Sequence, residues 1–275
     1  IDLSNKEKEI ALVEPEKCVV VMTEGGLVKR IPSSSFRTQR RNGKGIKTEN
    51  DVVSAVIRTN TIDSLMVFTT KGKMYRILVD NIPVGTNATK GQSLQSLIEI
   101  ESDEKPTLIY SIYRDTDASY VLFTTKNGIV KKTNLEEYIK TKKKTGLAAI
   151  NLREDDSLAS VNLIKDEDIL LITKKGMMIR FASSEITSSS RATMGMKGIN
   201  LADGDEVVSA LPVRHEDDQI AIVSEKGLGK KISLKEAIRQ KRAGKGLICY
   251  KPTDVSGEVI GASLISDEDS ILLVG

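Results

Sequence analysis

The chain repeats one hairpin pattern five times, and this repeat limits the possible folds more than any other feature. Each copy has a run of β-branched and apolar residues, a short polar turn with a glycine, and a second run that ends in basic residues. Such runs favour half-buried strands, and glycine supplies the positive φ of a tight turn. The aligned glycines are Gly26, Gly72, Gly128, Gly176 and Gly227, with spacings of 46, 56, 48 and 51 residues. A period of about 50 residues is typical of blade arrays.

A further strand-like run precedes every hairpin, and six such runs mark six repeat starts, near residues 10, 52, 107, 158, 207 and 259. Short strand-like segments after the loops supply a fourth strand for each repeat. Residues 1–4 match residues 199–202 in the phase of the repeat. We therefore expect an all-β fold, with residues 1–275 forming a single domain of six four-stranded antiparallel blades. Pairing of the N- and C-terminal strands would close this ring and remove the free sheet edges.

Two unrelated β-sandwiches are the alternative architecture, and the recurrence of hairpins that end in Lys or Arg argues against them. The chain has no Trp, so the signature of WD propellers is missing. Short helical turns are predicted only at residues 134–139 and 234–241.

Composition excludes several chemistries. The one histidine, His215, lies in an acidic turn, so paired-His metal motifs are excluded and His-based catalysis is disfavoured. Two cysteines, Cys18 and Cys249, cannot build a disulfide framework or a Cys-based zinc site, and we expect no metal site. A hydrolase would need convergent carboxylates, whereas Asp203 and Asp205 have the pattern of turn residues. No apolar run approaches the ~20 residues of a membrane span and no signal peptide opens the chain, so a cytoplasmic protein without a membrane partner is expected.

The formal net charge is only +3, but its distribution is uneven. Residues 37–47 hold five positive charges and no acid, residues 140–144 hold four, and residues 226–245 hold eight Lys or Arg against one Glu. The repeat gives these loops equivalent places, so we expect a curved basic track that suits the phosphates of a bent duplex. Solvated surface loops are the alternative interpretation of each basic run.

The strongest motif lies in the first long loop and consists of Gln39, Arg40, Arg41, Asn42, Gly43, Lys44 and Gly45. At six of seven positions it resembles the gyrase A box, Gln-Arg-Arg-Gly-Gly-Lys-Gly, of the DNA gyrase A C-terminal domain family. Asn42 replaces a glycine, and asparagine tolerates left-handed backbone well. A weaker echo occupies residues 240–246, and more degenerate copies occupy residues 89–91 and 194–198.

The residue types of the box suit phosphate binding. Arginine can hold a phosphate bidentately, lysine adds a mobile point charge, and glycine lets the backbone approach closely. Such contacts position DNA and carry little sequence information. The predicted contacts outside the box are the basic residues of the hairpin ends and loops: Lys29, Arg30, Arg37, Arg76, Lys131, Lys132, Lys142, Lys143, Lys144, Arg180, Arg191, Lys197, Lys230, Lys231, Lys241, Arg242 and Lys245.

The resemblance covers essentially the whole chain, and it implies a six-bladed β-pinwheel that wraps duplex DNA around its basic perimeter. The implied wrap has a positive sense, is not sequence-specific, and supports negative supercoiling by bacterial DNA gyrase in the cytoplasm, at the nucleoid. The implied partners are duplex DNA, the N-terminal breakage-reunion domain of the same polypeptide, and the gyrase B subunit in an A2B2 holoenzyme.

We expect no catalytic residue and no cofactor in this chain. It lacks the phosphate-binding loop of ATPases, and none of its tyrosines has a context like the family's cleavage motif. The resemblance implies that the catalytic Tyr and the ATP-binding site lie elsewhere in an ATP-dependent type II topoisomerase. Two alternatives stay open: the corresponding C-terminal domain of topoisomerase IV, from its A-type subunit, and a propeller-type scaffold that binds protein.

Overall fold

The computed structural model describes residues 13–35, 52–86, 88–113, 115–139 and 145–266, and these residues are mainly short antiparallel strands. In chain order the strands are β1 (Lys17–Thr23), β2 (Leu27–Pro32), β3 (Val53–Asn60), β4 (Ser64–Thr69), β5 (Lys73–Leu78), β6 (Gln92–Ser93), β7 (Pro106–Ile112), β8 (Tyr120–Thr125), β9 (Ile129–Asn134), β10 (Leu147–Ala148), β11 (Leu158–Ile164), β12 (Asp168–Thr173), β13 (Met177–Ala182), β14 (Met196–Lys197), β15 (Val207–Val213), β16 (Gln219–Ser224), β17 (Gly229–Ser233), β18 (Leu247–Ile248) and β19 (Val259–Ile265). The helical elements described are α1 (Glu136–Ile139) and 3-10 turns at Ser33–Ser35, Val79–Asn81, Leu94–Ser96, Ser183–Glu185 and Leu234–Glu236.

The predicted hairpins are present, and their turns share one hydrogen-bond pattern. In the fourth hairpin the amide of Gly176 donates to the carbonyl of Thr173 at 3.0 Å. The Thr173 hydroxyl accepts from the amide of Met177, also at 3.0 Å, and so satisfies a backbone donor that the turn would leave unpaired. Gly176 has φ of 80°, a conformation that residues with a Cβ rarely adopt.

The prediction of six blades is wrong: the described residues form five. Their strand orders are β3-β1-β2-β6, β10-β5-β4-β7, β11-β8-β9-β14, β15-β12-β13-β18 and β17-β16-β19. The error lies in strand assignment, because each lone strand completes the blade of the preceding hairpin rather than opening a new one. Thus β3 pairs with β1, and β19 completes the fifth blade by pairing with β16. The expected repeat start near residue 10 and the expected pairing of terminal strands fall on residues 1–12 and 267–275, which lie outside the described residues.

The fourth strand of a blade is supplied by the following repeat. Strand β14 comes after β13 in the chain but pairs with β9, and β18 comes after β17 but pairs with β13. Strand β6 pairs with β2 in the same way. Within the described ranges the fifth blade has three strands, and β17 lies at its edge.

The described residues form two compact units. The first comprises the described residues before residue 117 together with residues 145–147, and the second comprises residues 117–139 and 148–266. In the first unit, apolar side chains of β1, β4 and β5 form one core that includes Val20, Val67 and Tyr75. In the second unit, Leu122, Leu171 and Phe181 belong to a core that joins two successive blades.

Small polar residues connect the inner strands of neighbouring blades within each unit. In the first unit the hydroxyls of Thr59 and Ser111 lie 2.7 Å apart. In the second, Asn162 Nδ2 donates to the carbonyl of Ala210 at 2.9 Å, and the amide of Ala262 donates to Ser209 Oγ at 2.9 Å. Hydrogen bonds between small polar groups therefore join these strands of adjacent blades.

Candidate nucleic-acid interface

Strand register gives five predicted DNA contacts the same place in their blades. Each lies on the second strand of its hairpin, at the third position from the C-terminal end of the pairing with the first strand. Opposite it lies a buried residue of the first strand. The five predicted contacts are Arg30, Arg76, Lys132, Arg180 and Lys231. The preceding position holds three further predicted contacts, Lys29, Lys131 and Lys230, and it holds Tyr75 or Ile179 in the other two blades. Burial divides this set of residues into two groups.

Lys29 and Arg30 are buried in the first unit, with exposed fractions of 8% and 7%. Lys29 Nζ donates to the carbonyl oxygens of Thr86 and Thr89 at 3.0 and 2.7 Å, and burial lowers its pKa. Arg30 Nε donates to the carbonyl of Ile82 at 3.2 Å. Both side chains therefore hold the loop of the following repeat against β2.

Lys131 and Lys132 are also buried, in the second unit. Lys131 has no exposed surface, and its Nζ donates to Thr133 Oγ1 at 2.6 Å and to the carbonyl of Ala149 at 2.9 Å. Burial lowers the pKa of Lys131 to about 8. Lys132 Nζ donates to the carbonyl of Ser183 at 2.9 Å. In this arrangement Lys131 presents no atom at the surface to a phosphate.

Arg180 belongs to an ion-pair network that joins two blades of the second unit. Its Nε donates to Asp168 Oδ2 at 2.8 Å, and its Nη1 donates to Glu216 Oε2 at 3.0 Å. The hydrogen bonds from Arg180 lower the pKa of Glu216. Arg239, in the loop of the fifth repeat, reaches the other oxygen of Asp168 at 2.7 Å. Asp168 is buried, so its carboxylate needs both guanidinium partners, and Arg180 acts as a structural cation.

Three predicted contacts at the hairpin ends are exposed: Arg76, Lys230 and Lys231. Arg76 Nη2 donates to Ser64 Oγ at 3.1 Å, and Lys230 Nζ donates to the carbonyl of Cys249 at 3.2 Å. Lys231 lies on β17, against which the described residues place no fourth strand. Its equivalents Lys132 and Arg180 are covered by the loop of the next repeat, which explains the difference in exposure.

In the second unit, the loops of successive repeats that adjoin the short fourth strands lie against one another. The amide of Asn151 donates to the carbonyl of Thr193 at 3.0 Å, and one repeat later the amide of Asn200 donates to the carbonyl of Gly244 at 2.8 Å. Backbone hydrogen bonds thus join loops of three successive repeats into one surface, which we call the loop surface (residues 149–151, 191–200 and 239–246).

Cations are exposed along the loop surface. Lys197, Lys241 and Lys245 are exposed, and Arg191 is half-buried. Arg191 Nε lies 3.8 Å from a carboxylate oxygen of Glu137, whereas no carboxylate pairs with the three lysines within the residues that the structure describes. The structure thus brings these predicted contacts together and leaves the lysine charges available to an anion.

Arg242 also lies on the loop surface but is engaged. Its amide donates to Glu185 Oε2 at 3.0 Å and its Nε to the carbonyl of Glu185 at 3.2 Å. Its Nη1 donates to the carbonyl of Lys197. Nothing in the sequence indicated this pairing, because Glu185 precedes Arg242 by 57 residues.

Two residues of the echo motif, residues 240–246, are set by the conformation of the backbone, although the residue types of the motif predicted close approach of a phosphate. Ala243 has φ of 67°, so the position equivalent to Asn42 in the motif adopts left-handed backbone here. Gly246 has φ of 80°, and a Cβ there would overlap the carbonyl of Met178. The last glycine of the echo is therefore required where β18 approaches β13.

The remaining predicted contacts lie outside the described residues. They are Arg37, Gln39, Arg40, Arg41, Asn42, Gly43, Lys44, Gly45, Lys142, Lys143 and Lys144. Their assignment as DNA contacts stays a prediction.

Other chemistry is not brought together in the described part of the chain. There, no three His, Cys, Asp or Glu side chains are placed to hold a metal ion. Asp205 accepts from Thr173 Oγ1 at 2.7 Å and from the amide of Lys175 at 2.9 Å, as a turn residue does. Cys18 and Cys249 are buried free thiols, and burial raises the pKa of each to about 11. No helix among the described residues has the length and apolar character needed to span a membrane.

Comparison with known proteins places this array of blades among the propeller domains of type II topoisomerases. The family described as DNA gyrase C-terminal domain, beta-propeller, matches residues 19–60, 63–105, 119–165, 167–214 and 218–266. The chain therefore belongs to the DNA gyrase C-terminal domain family.

Relatives and solved structures agree with this assignment. The DNA gyrase A protein of Lawsonia intracellularis is 35% identical over 279 residues, covering 99% of this chain and 34% of that protein. A solved DNA gyrase A C-terminal domain superposes with a TM-score of 0.82 at 28% identity, covering 92% of this chain and 84% of the other. The C-terminal domain of a DNA topoisomerase IV gives 0.69 at 30% identity, covering 93% and 80%. The chain spans about a third of the length of the curated relatives it matches.

Proposed function

We propose that this chain binds duplex DNA without sequence specificity and wraps it with a positive sense along its basic surfaces. One observation carries the proposal: Lys197, Lys241 and Lys245 are exposed on adjoining loops of successive repeats in a member of the gyrase C-terminal domain family. Lysines on adjoining loops can follow a phosphate backbone without reading bases.

The energy of bending DNA supports contacts on several blades. Bending a 20–30 bp segment by 40–90° costs on the order of 1–6 kcal/mol, which one loop cannot offset. If roughly six to ten phosphates are neutralised, affinity falls about 10³–10⁵-fold between about 50 and 200 mM salt. A shallow salt dependence contradicts the proposal.

The decisive experiment ligates a singly nicked plasmid in the presence of increasing amounts of the chain. After deproteinisation, the linking number is read on a gel. A positive shift that grows with protein concentration supports chiral wrapping. Binding without a shift reduces the function to DNA bending, and absence of binding favours the protein-binding scaffold.

Replacing Arg40, Arg41 and Lys44 together with Ala tests the gyrase A box. We expect the linking-number shift to disappear while the circular dichroism spectrum and melting temperature are retained. A variant that wraps as well as the parent chain would remove the box from the DNA path.

In the whole protein, we propose that this domain supports negative supercoiling by an A2B2 gyrase, a type II topoisomerase. Duplex DNA, the N-terminal breakage-reunion domain and the B subunit are its proposed partners, in the cytoplasm at the nucleoid. Strand cleavage and ATP hydrolysis are assigned to those other parts, and this chain is proposed to need no cofactor. Covalent trapping of the isolated chain on DNA would contradict this division of labour.

A domain of topoisomerase IV is the second candidate, favoured by the TM-score of 0.69 and 30% identity to such a domain. The solved gyrase domain superposes better, with a TM-score of 0.82, and so supports gyrase. The ligation experiment separates the two candidates, since a gyrase domain is expected to give the larger positive shift.

A further inference from the structure

We propose that Arg242 and Glu185 form a clamp that positions the basic loop of the fifth repeat, and that Arg242 itself does not contact DNA. Lys241 and Lys245, on either side of the clamp, are then the phosphate contacts of this loop. This inference rests on the proposed function, and it divides one basic motif into contacting and positioning residues.

The hydrogen bonds of Arg242 carry the argument. Its amide donates to the carboxylate of Glu185 at 3.0 Å, and its Nε donates to the carbonyl of the same residue at 3.2 Å. Its Nη1 donates to the carbonyl of Lys197. These acceptors fix both the backbone and the guanidinium of Arg242. A phosphate could take the hydrogen bonds of Nε and Nη1 only by displacing acceptors that hold two repeats together.

The neighbouring backbone shows why the loop needs a clamp. Ala243 is held at φ of 67°, which costs an L-residue about 1–2 kcal/mol, so this conformation persists only when its surroundings enforce it. Its amide donates to the carbonyl of Gly198 at 2.8 Å, and the carbonyl of Gly244 accepts from Asn200 at 2.8 Å. The clamp and these two bonds fix residues 242–244 and thereby aim the exposed Lys241 and Lys245 outward.

A clamp and a direct phosphate contact predict changes of opposite sign in DNA affinity when the Glu185 side chain is removed. If Arg242 bound phosphate, removing this acid would take a negative charge away from the phosphate and strengthen DNA binding. If Glu185 positions the loop, its removal releases the loop and weakens binding, although the surface becomes more positive. A positioning role for Glu185 therefore predicts weaker DNA binding when this acid is removed.

The test measures the affinity of the whole chain for a linear duplex at several salt concentrations, together with the linking-number shift. We expect Glu185→Ala and Arg242→Ala each to weaken binding about tenfold, with a salt slope close to that of the parent chain. Lys241→Ala and Lys245→Ala should each lower the slope by about 0.9, the value for one phosphate contact. A slope lowered equally by Arg242→Ala would overturn the assignment.

Two conservative variants sharpen the test and guard against misfolding. Arg242→Lys keeps a charge for phosphate but cannot reproduce the bonds from Nε and Nη1, so a clamp predicts weak binding and a contact predicts nearly full binding. Glu185→Gln keeps an oxygen acceptor for the Arg242 amide, so a clamp predicts near-parental affinity. Charge repulsion predicts that Glu185→Gln and Glu185→Ala both bind more tightly.

Glu236 is a matched control, since it ends the 3-10 turn of the fifth repeat as Glu185 ends that of the fourth. Glu236 is exposed, and Glu236→Ala should keep or slightly raise the affinity. Melting temperatures establish that each variant is folded. If the parent chain itself fails to bind or wrap DNA, the proposed function fails; if it wraps and Glu185→Ala binds more tightly, only the clamp fails.

Discussion

The ammonium of Lys131 donates to the carbonyl of Ala149 at 2.9 Å, and the Tyr138 hydroxyl donates to the same oxygen at 3.0 Å. The Lys131 Nζ also lies 4.9 Å from the centre of the Phe123 ring. The ammonium of Lys131 is therefore buried in the third blade with no carboxylate paired to it among the described residues, and the Ala149 carbonyl accepts from two donors.

Lys131→Met should stabilise the chain at pH 7 and change the pH dependence of its stability. Burial lowers the pKa of Lys131 to about 8 in the folded state, below its ordinary value of about 10.5, so folding disfavours the charged form at pH 7. The parent chain should therefore gain stability as the pH rises from about 8 to 10.5, by up to about 3 kcal/mol. The variant should lack this gain.

Chemical unfolding at pH 7 and pH 10 measures this effect. Glu137 and Arg191 are the charged groups whose fields act on Lys131, and burial keeps the pKa of Tyr138 above its usual value, so Tyr138 stays neutral. The exposed Lys126→Met is the control and should follow the parent chain. Equal pH dependence in parent and Lys131→Met chains would contradict the assignment.

Ala243→Gly should raise the free energy of unfolding by about 0.5–1 kcal/mol, because glycine removes the cost of positive φ but adds entropy to the unfolded chain. Ala192 holds the equivalent place one repeat earlier and is not among the described residues with positive φ. Ala192→Gly should therefore lower stability. Urea denaturation of both variants decides the point, and equal changes would refute a backbone cause.

Thr124→Val should leave stability unchanged or raise it by about 1 kcal/mol, since the Thr124 hydroxyl is buried and has no hydrogen-bond partner in the described structure. The adjacent Thr125 is the matched control, because its hydroxyl accepts from the amide of Ile129 at 3.2 Å. Thr125→Val should lower stability by about 1 kcal/mol. Thermal melts of the pair give the comparison, and a strongly destabilised Thr124→Val would show that this hydroxyl does bond in solution.

Gly246→Ala should destabilise the chain by about 2–3 kcal/mol, because positive φ and overlap with the carbonyl of Met178 act together. Gly227→Ala isolates the first effect: its φ is 73°, and no heavy atom lies within 4 Å of the added Cβ. We expect it to cost about 1 kcal/mol. Denaturant unfolding of the two variants measures the difference, and similar losses would mean that β18 moves aside freely.

Strands and turns could be predicted well from the sequence because their causes are local. Runs of apolar and β-branched residues define the hairpins, and a glycine between two runs predicts a tight turn. Gly176 is such a glycine, and its φ of 80° agrees with the prediction. The number of blades was wrong because hydrophobic pattern does not say which hairpin a lone strand joins. From the sequence, β19 could either open a sixth blade or pair with β16. The structure shows that it pairs with β16, a choice that depends on three-dimensional contacts.

The basic residues show the same limit. Lys131 and Lys241 were both predicted as DNA contacts, yet one is buried and the other exposed. A signal did exist for Lys131, since the equivalent residues Tyr75 and Ile179 are apolar or aromatic and so indicate an interior position. No comparable signal separates Arg242 from its neighbours, because its partner belongs to another repeat.

The exchange of β14 and β18 between repeats has a consequence for how the second unit comes apart. If the fifth repeat unfolded, it would withdraw β18 from the fourth blade and leave the edge of β13 unpaired. Loss of the fourth repeat would likewise withdraw β14 from β9. Fraying cannot halt at the boundary of an intact blade, in contrast to solenoids whose repeats meet only face to face. The three blades of this unit should therefore melt in one cooperative transition.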